Sequence, residues 1–165
     1  MRRSGISIIS ALALLGATGC RFPYGFTGGG LPANIHTMAV LPFENRTASP
    51  TVQQELLTQM RSELQRRLGV RDAPEDKADA IVRGTITDYQ PDIAVGVSKQ
   101  TTSARRSLQL TIDVEIFDVA RGKVLFSRKG MQGTGEYAER ADADGRRQAI
   151  EHLVNDVVTG AQSQW

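Results

Sequence analysis

The chain holds one cysteine and two histidines, and that scarcity removes whole classes of chemistry. A single thiol cannot form an internal disulfide. Two histidines, His36 and His152, with no His-Glu-Xaa-Xaa-His pattern leave no zinc site of that kind. Asp72, Glu75, Asp76 and Asp79 lack the spacing of a calcium loop and read as a solvated turn. The triple glycine Gly28-Gly29-Gly30 opens no helix and is followed by no Lys-Ser/Thr, so it is not a phosphate loop. Ser98, Ser103 and Ser107 have no partner histidine in a recognisable order, and no acid–base or nucleophile constellation is present. The expectation is a protein that is not an enzyme and holds no metal and no cofactor. Charge of one sign is missing too. The net charge of +2 owes everything to Arg2 and Arg3. Without them basic and acidic residues balance, leaving no basic field for nucleic acid. Long hydrophobic runs are absent as well. The longest, Ile6 to Ala17, is about 12 residues, too short to span a bilayer.

What is present begins with that run. Arg2 and Arg3, a short apolar stretch and a small-residue exit make a secretory signal peptide. The exit Ala17-Thr18-Gly19-Cys20 resembles a bacterial lipobox, in which the chain is cut before the cysteine and the cysteine is acylated. Ala17 stands where leucine is usual. The expectation is a signal peptide over 1–19, a lipidated N-terminus and tether over 20–34, and a domain over 35–165, attached to a membrane through Cys20. Two or three acyl chains hold a protein stably where one does not. Arg21, in place of the aspartate that retains lipoproteins at the inner membrane in enteric bacteria, points to the outer membrane.

The domain reads as two helices and four strands. Met38 and Val40 mark a short strand that Pro42 ends, and Glu44 to Thr47 reads as a polar loop. Ser49-Pro50 is an N-cap followed by a first-turn proline. Val52, Leu56, Met60, Leu64 and Leu68 then form one apolar stripe, with Glu63 and Arg67 paired on the wet side and Gly69 at the end. Ala80, Val82, Gly84 and Ile86 alternate as a second strand, and Pro91 to Lys99 reads as a hairpin tip. Leu108, Leu110, Ile112, Val114 and Ile116 alternate with polar residues as a third. A turn at Val119–Lys123 leads into a fourth, starting at Val124 and fading through Gly130, Gly133 and Gly135. Ile150, Leu153, Val154, Val157, Val158 and Ala161 define a last helix. The fold class is α+β: a two-layer sandwich with two helices on one face of a four-stranded mixed sheet, order β-α-β-β-β-α.

Lys99, Arg105 and Arg106 flank the second hairpin, and Arg128 and Lys129 lie on the next strand. Together they are candidates for binding anionic phosphates through charge-assisted hydrogen bonds. Basic residues at such places also blunt strand edges against pairing.

Several segments carry a resemblance. Phe26-Thr27-Gly28-Gly29-Gly30-Leu31-Pro32, running into Ile35-His36-Thr37-Met38-Ala39-Val40-Leu41-Pro42-Phe43-Glu44-Asn45-Arg46-Thr47, resembles the opening of the LptE family of lipopolysaccharide-assembly lipoproteins. Ala78 to Ile86, Asp118 to Leu125 and the final helix agree with it. The resemblance implies two helices on a four-stranded sheet. It further implies an outer-membrane lipoprotein that partners and plugs the β-barrel LptD and binds lipopolysaccharide in transit. Ala39-Val40-Leu41-Pro42-Phe43-Glu44-Asn45-Arg46-Thr47 also resembles CsgG-like secretion components and LpoB-like activators of peptidoglycan synthases. The glycine-rich segment before the first strand favours LptE, and the chain is too short for the membrane hairpins of a CsgG-like channel.

Overall fold

The computed structural model describes residues 31–94 and 105–163. Cys20 and Lys99 lie outside them. In chain order the elements are β1 (Thr37–Val40), β2 (Glu44–Asn45), α1 (Pro50–Leu68), β3 (Arg71–Asp72), β4 (Ala80–Ala94), β5 (Arg105–Asp118), β6 (Lys123–Ala138) and α2 (Asp142–Ser163), with a 3-10 turn at Glu75–Lys77. The α+β class with two helices is as the periodicity predicts. The strand number is not. A mixed sheet of six strands runs β3-β1-β4-β5-β6, with β2 also on β4. β1 lies parallel to both β3 and β4, and the β4-β5-β6 meander is antiparallel.

The expected order β-α-β-β-β-α is therefore corrected by two short strands. β2 occupies the segment read as a polar loop, where Glu44 and Asn45 align with Thr85 and Ile86. β3 follows α1, and Arg71 and Asp72 align with Thr37 and Met38. Two residues are too few to show a period of two, so neither strand has a sequence signal. β4 runs on through Pro91 rather than ending in a hairpin tip there. A register shift between Gln90 and Ile93 opens the ladder at Pro91, and a bulge is where a strand tolerates proline. β6 does not fade at its glycines but continues to Ala138.

Both helices form as their stripes require. α1 starts after Ser49, whose backbone is extended, with Pro50 in the first turn. It ends at Gly69, in the left-handed region at φ 68°, which glycine adopts without a Cβ penalty. Val52, Leu56, Met60 and Leu64 are buried along it. Glu63 pairs with Arg66 rather than Arg67. Arg67 instead reaches across to Asn155 and Thr159 of α2. One cluster of buried side chains joins these residues to Leu110, Ile112, Val114 and Ile116 of β5 and to Ile150, Leu153, Val154 and Val157 of α2. Each fully buried aliphatic side chain contributes roughly 1.5–3 kcal/mol of transfer free energy, so this cluster dominates the fold.

The β5 stripe ends in a charge. Asp118 extends the series from Leu108 to Ile116 and is fully buried. Burial alone would push its carboxyl up. The Arg121 amide at 3.0 Å and the Asn34 amide at 3.2 Å outweigh that and hold it below the usual aspartate range. The Arg121 guanidinium lies 3.6 Å away. Asp118 thus shapes the β5–β6 turn and fastens the incoming N-terminal chain to it. Asp79 does the same for β1. Its carboxylate accepts from the His36 amide at 2.9 Å and the Thr37 amide at 2.8 Å, and these bonds lower its pKa.

Candidate binding surface

The helices cover one face of the sheet, so the opposite face and the strand ends remain for partners. The two predicted arginines open β5. Arg105 aligns with Ala138 of β6, and Arg106 aligns with Ala94 and Tyr137. Arg106 is not free to take a phosphate alone. Its guanidinium lies 2.5 Å from the Asp92 carboxylate, and the neighbouring Tyr137 hydroxyl donates to the Pro91 carbonyl. The register shift that carries Pro91 and Asp92 creates this contact. No local pattern announces it, because Asp92 reads as part of a loop until β4 is seen to continue.

Arg128 and Lys129 do not join this group. Arg128 aligns with Val114, eight residues along β5 from Arg106, a distance of about 27 Å. The sheet instead brings Arg128 and Lys129 to Glu44, Arg83, Asp113 and Glu115, around a shallow depression of about 370 Å³ on the uncovered face. This face is laced by its own pairs. Arg83 meets Glu115 at 2.6 Å and lies over the Phe117 ring at 5.5 Å. Arg46 meets Glu44 at 3.2 Å, and that carboxyl is lowered by the bond and charge of Arg46. The Gly130 amide donates to Asp113 at 2.8 Å. Such exposed pairs each contribute little to stability. Their effect is a polar, charge-balanced sheet face.

A second concavity of about 530 Å³ lies between the helices, lined by Thr51, Gln54, Glu55, Thr58, Ala143 and Arg147. Close by, Arg146 of α2 joins the two helices. It contacts Glu55 of α1 at 3.2 Å and Asp142 at 2.5 Å. The Glu55 bond holds the guanidinium firmly charged, and burial raises the pKa of the adjacent Tyr89. His36 and His152 are both exposed. Among the described residues no group of three or more histidine, cysteine, aspartate or glutamate side chains is placed to hold a metal ion, and no helix is long and apolar enough to cross a membrane.

Residues 35–159 match the family model of LptE, described as lipopolysaccharide-assembly. The chain belongs to the LptE family. That assignment spans every element from β1 through most of α2. No curated protein matches the chain in sequence. Solved structures share its fold. A PelC dodecamer from Paraburkholderia phytofirmans is 20% identical with TM-score 0.53, over 82% of this chain and 94% of that one. The hypothetical protein CT253 from Chlamydia trachomatis is 10% identical with TM-score 0.55, over 79% and 97%. A minor lipoprotein from Acinetobacter baumannii is 16% identical with TM-score 0.50, over 78% and 94%. At these identities the likeness is one of fold. This LptE-family domain therefore shares its fold with these proteins, and what its role rests on is the family match and its own surface.

Proposed function

We propose that this protein is an outer-membrane lipoprotein, held on the periplasmic face through acylated Cys20, that partners and plugs an LptD-like β-barrel and assists lipopolysaccharide transport and assembly. Residues 1–19 are the signal peptide in this reading, 20–34 the lipidated N-terminus and tether, and 35–165 the working domain. The observation that carries it is the family match across 35–159. The surface is compatible in two ways. The helices are occupied by the core, which leaves the open sheet face and the strand ends for a partner. That face is polar and internally paired, as a wall facing a water-filled lumen should be. The protein acts stoichiometrically and without turnover. Lipopolysaccharide is a possible direct ligand, with Lys99, Arg105 and Arg106 as the candidate contacts to its phosphates.

The test is depletion of the protein combined with co-purification. Depletion should leave the barrel misassembled and lipopolysaccharide stranded in the periplasm, and the lipidated protein extracted from membranes should bring a barrel with it. Mass spectrometry should find an acylated N-terminal cysteine. Normal barrel assembly with impaired peptidoglycan synthesis would replace this reading with an LpoB-like one.

A further inference from the structure

One strand end, the β5–β6 turn, carries chemistry that the reading above leaves unspecified. Two large aliphatic side chains stand exposed among the described residues, Val119 at 45% and Val124 at 42%. Both flank the same turn, between β5 and β6. Arg121 and Lys123, also exposed, lie between them. Single exposed valines are ordinary. A pair at the tip of one turn with two cations between them has the composition of a surface that sits in a bilayer interface.

The place of this turn in the fold supplies the second argument. The incoming chain arrives beside it. The Asn34 amide donates to Asp118 at 3.2 Å, and Asp118 also anchors the turn through the Arg121 amide. The Val119 amide donates to the Asp79 carbonyl at 3.0 Å, and Asp79 holds the start of β1. Tether, β1 start and β5–β6 turn therefore occupy one end. Asp79 and Asp118 are spent on these bonds, and the Arg121 guanidinium at the tip lies 3.6 Å from Asp118. Glu75 and Asp76 stand on the nearby 3-10 turn.

Chain length then limits the orientation. Cys20 to Leu31 reaches at most about 40 Å when fully extended. β5 is 14 residues long, about 44 Å. With the opposite end on the bilayer, the 14 residues from Cys20 to Asn34, about 50 Å when fully extended, would have to run almost straight along the whole of β5. With the entry end down, the tether has ample length and the β5–β6 turn meets the headgroups.

We propose that the β5–β6 turn is a membrane-docking surface: Val119 and Val124 enter the interfacial layer of the leaflet that holds Cys20, with Arg121 and Lys123 between them at headgroup level. The inference rests on lipidation of Cys20 and goes beyond it, because an anchor alone fixes no orientation.

The test uses the mature lipidated protein in vesicles of phosphatidylethanolamine and phosphatidylglycerol carrying brominated acyl chains. Acylation occupies the native thiol, so Val124→Cys takes a single fluorescent label, and Gln90→Cys on distal β4 serves as the comparison. Flotation with the vesicles reports the anchor. Quenching reports the orientation, and it should be several-fold stronger at position 124 than at position 90. Flotation with equal quenching at the two positions overturns the docking surface and leaves the anchor intact. Failure to float overturns both. A Val119→Asp/Val124→Asp double variant should float normally yet lose the stable orientation, read as equal quenching of labels at Arg121→Cys and Gln90→Cys. Loss of barrel co-purification in that variant, with no quenching at position 124 in the parent label, would assign the turn to the partner protein instead.

Discussion

The two helices lie on one sheet by different means. α1 approaches through side chains. Val52, Leu56, Met60 and Leu64 fill the space between its backbone and the strands. α2 approaches through their absence. A Cβ on Gly133 would lie 2.2 Å from the Ala149 carbonyl oxygen, and one on Gly135 would lie 1.9 Å from that of Gly145. A Cβ on Gly145 would in turn meet the Tyr137 ring at 2.7 Å. The contact between β6 and the first half of α2 is therefore backbone against backbone. The same hydrophobic layer contains one interface that can repack and one that cannot. Side chains change rotamer to absorb a misfit, whereas two backbones have nothing to move.

Substitutions separate the two interfaces, and the largest effect belongs to the glycine side. Gly135→Val should prevent folding, because overpacking usually costs ~1–3 kcal/mol even where side chains can yield and here the obstacle is a helix carbonyl. Loss of the cooperative thermal transition in circular dichroism would record it, and a variant that melts like the parent would refute the backbone contact. Next in size, Leu64→Ala on α1 and Leu153→Ala on α2 should each cost about 2–5 kcal/mol, measured by urea denaturation. If both were silent, the buried faces of the helices would be wrong. Arg146→Ala tests the link between the two helices. It strands the Glu55 carboxylate and removes charge-assisted bonds, for a loss of ~1.5–3 kcal/mol, and Arg146→Lys should restore part of it. Met60→Leu is the smallest. A volume-conserving change on the adaptable side should cost under about 1.5 kcal/mol, in contrast to Gly133→Ala on the other.

Acid should probe a third region, the entry end. Asp79 and Asp118 both titrate lower in the folded protein than ordinary aspartate. The folded state therefore binds fewer protons than the unfolded chain across that interval. Their stabilisation is complete above the ordinary aspartate pKa, near ~3.9, and is lost as pH falls through the lower folded values. Asp118→Asn should flatten the acid limb of the stability profile while leaving neutral pH least disturbed among polar replacements.

The sequence disclosed what periodicity can carry. Nineteen residues of α1 and the alternation of β5 repeat their pattern often enough to be unmistakable, and both faces were placed correctly. The glycines of β6 misled, because a glycine weakens a strand locally and gives no sign of the helix that will lie against it. Pro91 misled for the opposite reason: a proline ends most strands, and only the register shift opposite Leu108 explains why it does not end this one. The candidate site was legible in composition and not in geometry. Arg105 and Arg106, expected to flank a strand beginning at Leu108, lie within β5 itself, and the partnership of Arg106 with Asp92 depends on that same shift. The separation of Arg128 from them depends on strand length, which short apolar patterns understate.

The position of β1 between β3 and β4 has a consequence for how the molecule acquires its structure. Both neighbours of β1 come later in the chain, and its parallel pairing with β4 closes a loop that contains the whole of α1. The β4-β5-β6 meander and α2 need no such closure between consecutive strands of β5 and β6, where a short turn suffices. Closing the longer loop costs more chain entropy before any contact rewards it. On this ground β1 should be fitted late, between β3 and β4. In hydrogen exchange, the β1 amides should open at lower free energy than those of β5, and the strand that opens the domain would be the first to come loose.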